Sequence, residues 1–235
     1  YTEFAVPQMG TIMATPVPGC AATLTAQRKA AAMVDLTVTA PCDEDAAFQI
    51  NHQGLMFAGR TDDDGTATIE APALVANATF GVSFDNVLAA EVEVFVPEIR
   101  RYDRAILQWH SADNMRLHAF EGGAQIGDPG HVWSASIHAA EDTRNGDTGF
   151  VVSLGETDVE MAYRAEAYTF PADLMNREGA VDLKIGVGVN EDNCGREVDA
   201  KTIQTNAGED LVLESISVQM PPCDQVGTVV FFDDK

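Results

Sequence analysis

The sequence predicts an all-β protein: two antiparallel β-sandwich domains in tandem, Ig-like or jelly-roll-like, each clamped by one disulfide. Three observations lead there. Apolar and polar residues alternate over many short runs. Turn-forming residues separate those runs. Four cysteines, Cys20, Cys42, Cys194 and Cys223, fall in two well-separated pairs.

The alternation has period two, which puts every second side chain on one face of a strand. In Met33–Thr39, Val34, Leu36 and Val38 share a face and Asp35, Thr37 and Thr39 share the other. Ala78, Phe80, Val82 and Phe84 alternate with Thr79, Gly81, Ser83 and Asp85. Val92, Val94 and Val96 alternate with Glu91, Glu93 and Phe95. One buried and one wet face per strand is the habit of antiparallel sheets. About seven strands are expected between Cys20 and Val96, at sandwich spacing.

Turns punctuate these runs. Asp64-Gly65 favours positive φ and predicts a tight hairpin between residues 55–60 and 66–71. Residues 51–54 link the next pair. Pro97 and the adjacent Arg100 and Arg101 interrupt the pattern, so a domain boundary is expected there. A second strand series follows, opening with a hairpin of residues 104–110 and 115–121 around 111–114. Val181, Leu183, Ile185, Val187 and Val189 alternate in their turn, and a short helix is expected near residues 172–177. The predicted layout is an extended leader over residues 1–19, where Pro7, Pro16 and Pro18 oppose helix, a sandwich over 20–97, and a larger one over 98–235.

Four cysteines allow three pairings. Nearest-neighbour pairing keeps each bridge inside one predicted domain, where it would close a short loop worth roughly 3 kcal/mol in the chain-entropy model. Zinc ligation would need CxxC-like spacing, which is absent. Disulfides place the chain in the periplasm, on the cell surface or outside the cell. The start at Tyr1 rather than Met adds the expectation of a processed or truncated N-terminus. No apolar run approaches the ~20 residues needed to cross a bilayer as a helix.

With 37 acidic and 14 basic residues, the formal charge is -23. Such a surface repels nucleic acid and anionic lipid heads. It favours solubility, cations, or a protein partner, including another copy of the chain.

Candidate site residues are few. Asp62, Asp63 and Asp64 could offer hard oxygens to Ca²⁺ but lack the Glu that completes an EF-hand loop; the plainer reading is a polar turn. Asn190, Glu191 and Asp192 form a similar loop. Among five histidines, His110 and His118 flank one expected hairpin, His131 shares a strand face with Trp133, and His138 takes the other face. Imidazoles grouped this way could bind a ligand or metal or move a proton. Without HExxH or HxH spacing, scattered surface histidines are the expectation. Trp109, Tyr163 and Tyr168 could join Trp133 in a stacking platform, although Trp109 shares its face with Ala105 and Leu107, which favours core packing. No GxSxG elbow, phosphate loop or dinucleotide fingerprint occurs, and no cofactor motif is present.

Several segments resemble a family of exported or envelope all-β proteins from marine and phototrophic alphaproteobacteria, some of which carry the loose label translocase. The resembling stretches are Tyr102-Asp103-Arg104, Gln108-Trp109, Leu117-His118-Ala119, Gly130-His131-Val132-Trp133 and Asn193-Cys194-Gly195-Arg196, with His52-Gln53-Gly54, Thr61-Asp62 and Ala71-Pro72-Ala73-Leu74. The first half is also similar to bacterial Ig-like and carboxypeptidase-regulatory-like modules. The resemblance implies export and carries over no catalytic residues.

The expected function is therefore a non-enzymatic structural or interaction protein, whose N-terminal segment either tethers the domains to an anchor or adds a strand to the sheet edge of a neighbouring copy. A carbohydrate- or Ca²⁺-binding module is the first rival. A hydrolase is the second; it would need a concave pocket holding two close carboxylates with displaced pKa values.

Overall fold

A computed structural model describes residues 19–110, 113–136, 140, 143, 148–156, 159, 162–172 and 181–233. The chain is all-β, and its strands form four antiparallel sheets. The first seven strands are β1 (Thr23–Arg28), β2 (Met33–Thr39), β3 (Ala47–His52), β4 (Leu55–Arg60), β5 (Thr66–Pro72), β6 (Asn77–Phe84) and β7 (Val87–Phe95). They form one sheet ordered β1-β2-β5 and another ordered β4-β3-β6-β7. Leu36, Ile50, Phe57, Phe80 and Val82 fill the space between them, each fully buried. These are the inward members of the alternating runs.

Nine more strands follow: β8 (Tyr102–His110), β9 (Met115–Phe120), β10 (His131–Val132), β11 (Phe150–Leu154), β12 (Tyr163–Pro171), β13 (Asp182–Gly188), β14 (Glu197–Asn206), β15 (Asp210–Gln219) and β16 (Val229–Asp233). They build a sheet ordered β11-β12-β8-β14-β15 and another ordered β10-β9-β13-β16. Leu107, Trp109, Tyr168, Phe170 and Ala200 of the first meet Met115, Leu117, Ile185 and Val187 of the second in a separate apolar core.

The strands β8, β12 and β14 of the five-stranded sheet pack on both faces. Their Ile106, Ala165, Ala167 and Ile203 join the core of the first seven strands. Polar ties cross the same seam. Met56 N donates to Gln108 Oε1 at 2.7 Å, Glu156 N to Ala58 O at 3.1 Å, and Arg104 Nη2 to Ala31 O. A 3-10 turn, Pro97–Arg101, connects β7 to β8 at the interruption seen in the sequence.

Two disulfides join Cys20 to Cys42 and Cys194 to Cys223, the nearest-neighbour pairing. Both mark an oxidising compartment. No helix among the described residues is long and apolar enough to cross a membrane.

Two expected hairpins are corrected. Strand β4 pairs with β3 and β5 with β2, so residues 61–65 carry the chain from one sheet to the facing one. The Asp64-Gly65 turn forms, but it caps an arch. Likewise β8 pairs with β12 and β14, whereas β9 pairs with β10 and β13. Alternation fixes which face is inward; it does not say which sheet a strand joins. True two-residue hairpins occur at Gln53-Gly54, with φ of 50° and 89°, and at Asp85-Asn86, with φ of 48° and 62°. Both have the paired positive φ of the type I′ turn. The leader residues 1–18, His138 and most of the expected helix at 172–177 lie outside the described residues.

Candidate functional site

Two places collect chemistry-bearing side chains. The first lies on the outer face of the sheet containing β9. Met115, Leu117 and Ala119 take the inward positions of β9, so His118 and Phe120 point outward. Strand β10 then sets His131 opposite Phe120 and Val132 opposite Ala119. The rings stack: Phe120 and His131 at 4.7 Å, His118 and His131 at 5.1 Å, His118 and Trp133 at 5.1 Å, with Phe231 edge-on to His118 at 5.1 Å. The histidines are therefore not scattered over the surface. His118, His131 and also His52 are buried.

Hydrogen bonds fix the tautomers. Gly127 N–H donates to His131 Nδ1 at 3.2 Å, so that nitrogen is an acceptor and the proton sits on Nε2. His131 Nε2–H then donates to His118 Nδ1 at 2.8 Å. Burial holds His118 near pKa 4, and His131 and Arg116 push it the same way. Burial lowers His131 as well, against the opposing pull of Asp128. Gly186 sits against His118 Nε2, where a Cβ would lie 2.8 Å away, so the pocket for the imidazole requires glycine. Ser136 Oγ donates to the His131 carbonyl rather than approaching an imidazole nitrogen. The pair is thus a neutral packing unit, with no activated hydroxyl beside it.

His110 stands apart, at the exposed end of β8 in the other sheet, its ring tilted 32° against Tyr163 at 4.3 Å. It marks the second place, a groove of about 420 Å³ lined by His110, Tyr163, Asp199, Lys201, Ser215 and Ser217. The pairings Lys201↔Gln108, Tyr163↔His110, Ser215↔Lys201 and Ser217↔Asp199 bring these residues to one end of four adjacent strands. Ser217 Oγ donates to Asp199 Oδ1 at 2.6 Å. At the rim, burial raises the Asp113 carboxyl; Arg196 and His110 pull it back, and Asp199 raises it further. Rings, hydroxyls, a carboxylate and an ammonium together suit stacking and hydrogen bonding to a polar ring. Trp109 also borders this groove but is 1% exposed, as its shared face with Leu107 predicts.

The acidic loops serve their own backbone. Asp62 Oδ1 accepts from Asp64 N and Thr66 N, and Oδ2 from Thr66 Oγ1. Those bonds from Thr66 hold its carboxyl below the usual range. Asn190 Oδ1 likewise accepts from Asp192 N and Asn193 N. Among the described residues no group of three His, Cys, Asp or Glu side chains converges on a metal position.

Two carboxylates are new. Glu166 is buried against the second core, accepts from Leu117 N at 2.7 Å and pairs with Arg116 at 3.5 Å; burial raises its pKa. The signal was an acid at an inward position of the apolar run 165–170. Glu121 accepts from Tyr168 Oη, Gly149 N and Thr148 Oγ1, each at 2.8 Å, and so ties the two residues that precede β11 to β12. His52 bridges Thr79 O and Leu74 N and stacks on Phe80 at 4.2 Å, as a core strut. Compared with known proteins, the sequence matches no family model and no curated relative.

Proposed function

We propose that this is an exported structural protein of the periplasm, cell surface or extracellular space that assembles by strand addition, residues 1–18 of one copy pairing with the free edge of β15 in the next. The observation that carries this reading is β15 itself. It pairs with β14 over ten residues and, among the described residues, has no neighbour on its other side. Most of it is exposed, with Val212 at 49% and Leu213 at 50%. A long unprotected edge is a template for another strand. Two other edges with exposed apolar residues are guarded or short. Strand β7 carries Glu91 and Glu93, has a register shift opposite it at Val82/Ser83, and packs beside β1. Strand β16 has five residues.

Charge selects the occupant. Two bodies of formal charge -23 repel on approach. Residues 1–18 contain one charged side chain, Glu3, and the proline-free stretch 8–15 contains none. A neutral segment can therefore reach an acidic neighbour at little electrostatic cost. The resemblance to exported envelope proteins agrees with such a role.

Light scattering on the full chain and on a chain lacking residues 1–18 tests this. Higher-order species should vanish on deletion, and a peptide of residues 1–18 should bind the shortened chain but not its Val212→Lys/Leu213→Lys variant. Assembly that persists after the deletion refutes the reading.

The His110–Tyr163 groove favours a second reading, a carbohydrate-binding module. Saturable glycan binding lost in Tyr163→Ala would support it; an unresponsive protein across neutral and acidic glycans would dismiss it.

A further inference from the structure

We propose that the seam between the two sets of strands holds a binding site for a small multivalent oxyanion of the phosphate, sulfate or polycarboxylate kind. The chain has only 14 basic residues. Three of them, Arg28, Lys29 and Arg101, lie where the 3-10 turns Ala30–Ala32 and Pro97–Arg101 touch, Arg100 is the neighbour of Arg101 in the chain, and Arg104 reaches the first turn from β8. A cavity of about 500 Å³ opens there, lined by Arg28, Lys29, Ala31, Glu98, Arg101 and Tyr102. The adjacent arginines that interrupted the strand pattern belong to this cluster.

Nearby carboxylates do not neutralise it. Glu98 lies 3.5 Å from Arg28, Asp35 lies 3.2 Å from Lys29, and Glu70 acts on Lys29 from further off. Arg100, Arg101 and Arg104 pair with no carboxylate among the described residues. An excess of positive charge therefore survives locally in a strongly acidic protein.

Arg104 backs the cavity from the buried side. It is 3% exposed and does not itself line the cavity, but its Nη2 donates to the carbonyl of Ala31, a residue that does. Among the described residues its Nε and Nη1 have no partner. Burial pulls its pKa down to about 9. A buried guanidinium with two unmet donors is costly unless negative charge lies within reach. The turn above it is also unusual: Ala31 and Ala32 both adopt left-handed φ, at 53° and 55°. Alanine rarely holds that conformation, and it persists where surrounding contacts dictate it.

The ligand class follows from size and field. Planar guanidinium forks match the paired oxygens of phosphate, sulfate and carboxylate. A long polyanion would have to lie along the negative surface beyond the cavity, which repels it. A compact anion meets only the basic island. This site does not depend on the β15 edge.

Calorimetric titration of the full chain with sodium phosphate, sulfate and citrate, at constant ionic strength against sodium chloride, tests the proposal. We expect saturable one-site binding of at least one of the three, weakened tenfold or more in Arg28→Gln/Arg101→Gln, with unchanged circular dichroism. Arg104→Gln should weaken it as well; where that variant does not fold, the double variant decides. Heats equal to those of chloride overturn the proposal, as does binding that the double variant leaves intact. Self-association that the double variant abolishes, with no anion heat in either protein, would replace the small anion with an acidic segment of a second copy.

Discussion

His131 donates its Nε2 proton to His118 Nδ1 across 2.8 Å, and Gly127 N–H occupies the far nitrogen of His131, so neither ring can gain a proton without opposing one donor to another. The pair therefore resists acid in the folded state, and His52, held near pKa 4 chiefly by burial, does the same in the first core. Unfolded imidazoles protonate below about 6.5. The unfolded chain thus binds more protons between about 6.5 and 4, and stability falls as pH drops through that window. His52 alone accounts for about 3 kcal/mol at the acid end. Burial raises Glu166, Asp103 and Asp113, and they act in the opposite sense below neutrality. Urea midpoints between pH 7.5 and 4.5 should decline, with a shallower decline in His118→Phe. An identical profile in that variant would show that the pair does not titrate as a unit.

The sequence exposed faces better than partners. The alternation in residues 33–39 defines β2 to the residue, and about seven strands were expected where β1 to β7 occur. The cysteine count points to two disulfides, and the structure selects the nearest-neighbour pairing from the three that the sequence allows. The histidine pair does not, because it depends on a two-residue strand whose register brings positions 118 and 131 together. The doubly buried β8 shows no alternation between Arg104 and Trp109, since one face meets each core. The Arg cluster was visible only as Arg100-Arg101; Arg28 and Lys29 arrive through contact between two turns far apart in the chain.

Gln108 ties the two sets of strands at a buried point. Its Oε1 receives Met56 N–H, while its own Nε2 has no partner among the described residues. In Gln108→Ala, Met56 N–H loses its acceptor, at a cost of about 1–3 kcal/mol. Because one apolar core spans the seam, calorimetry should show a single unfolding transition in both proteins. Two resolved transitions in the wild type would mean that the shared core does not couple the halves.

Removing either bridge frees a short loop. The Cys20–Cys42 link spans 22 residues and Cys194–Cys223 spans 29. The chain-entropy model gives similar losses of roughly 3 kcal/mol each. Paired Cys→Ala variants should therefore lower the denaturant midpoint by comparable amounts. A loss confined to one pair would place the stabilisation in local contacts rather than in loop closure.

Gly65 and Gly195 separate backbone strain from crowding. Both hold left-handed φ, at 71° and 68°. A Cβ on Gly195 would meet nothing within 4 Å, whereas one on Gly65 would run into the Ala40 carbonyl oxygen, to which the arch is also tied by Ala40 N donating to Gly65 O at 2.8 Å. Gly195→Ala should cost about 1 kcal/mol, the price of the left-handed conformation for alanine. Gly65→Ala must bear that cost and also displace backbone, so its loss should be clearly larger. Equal shifts in denaturant midpoint would mean that the arch yields freely and that Asp62, not Gly65, sets its shape.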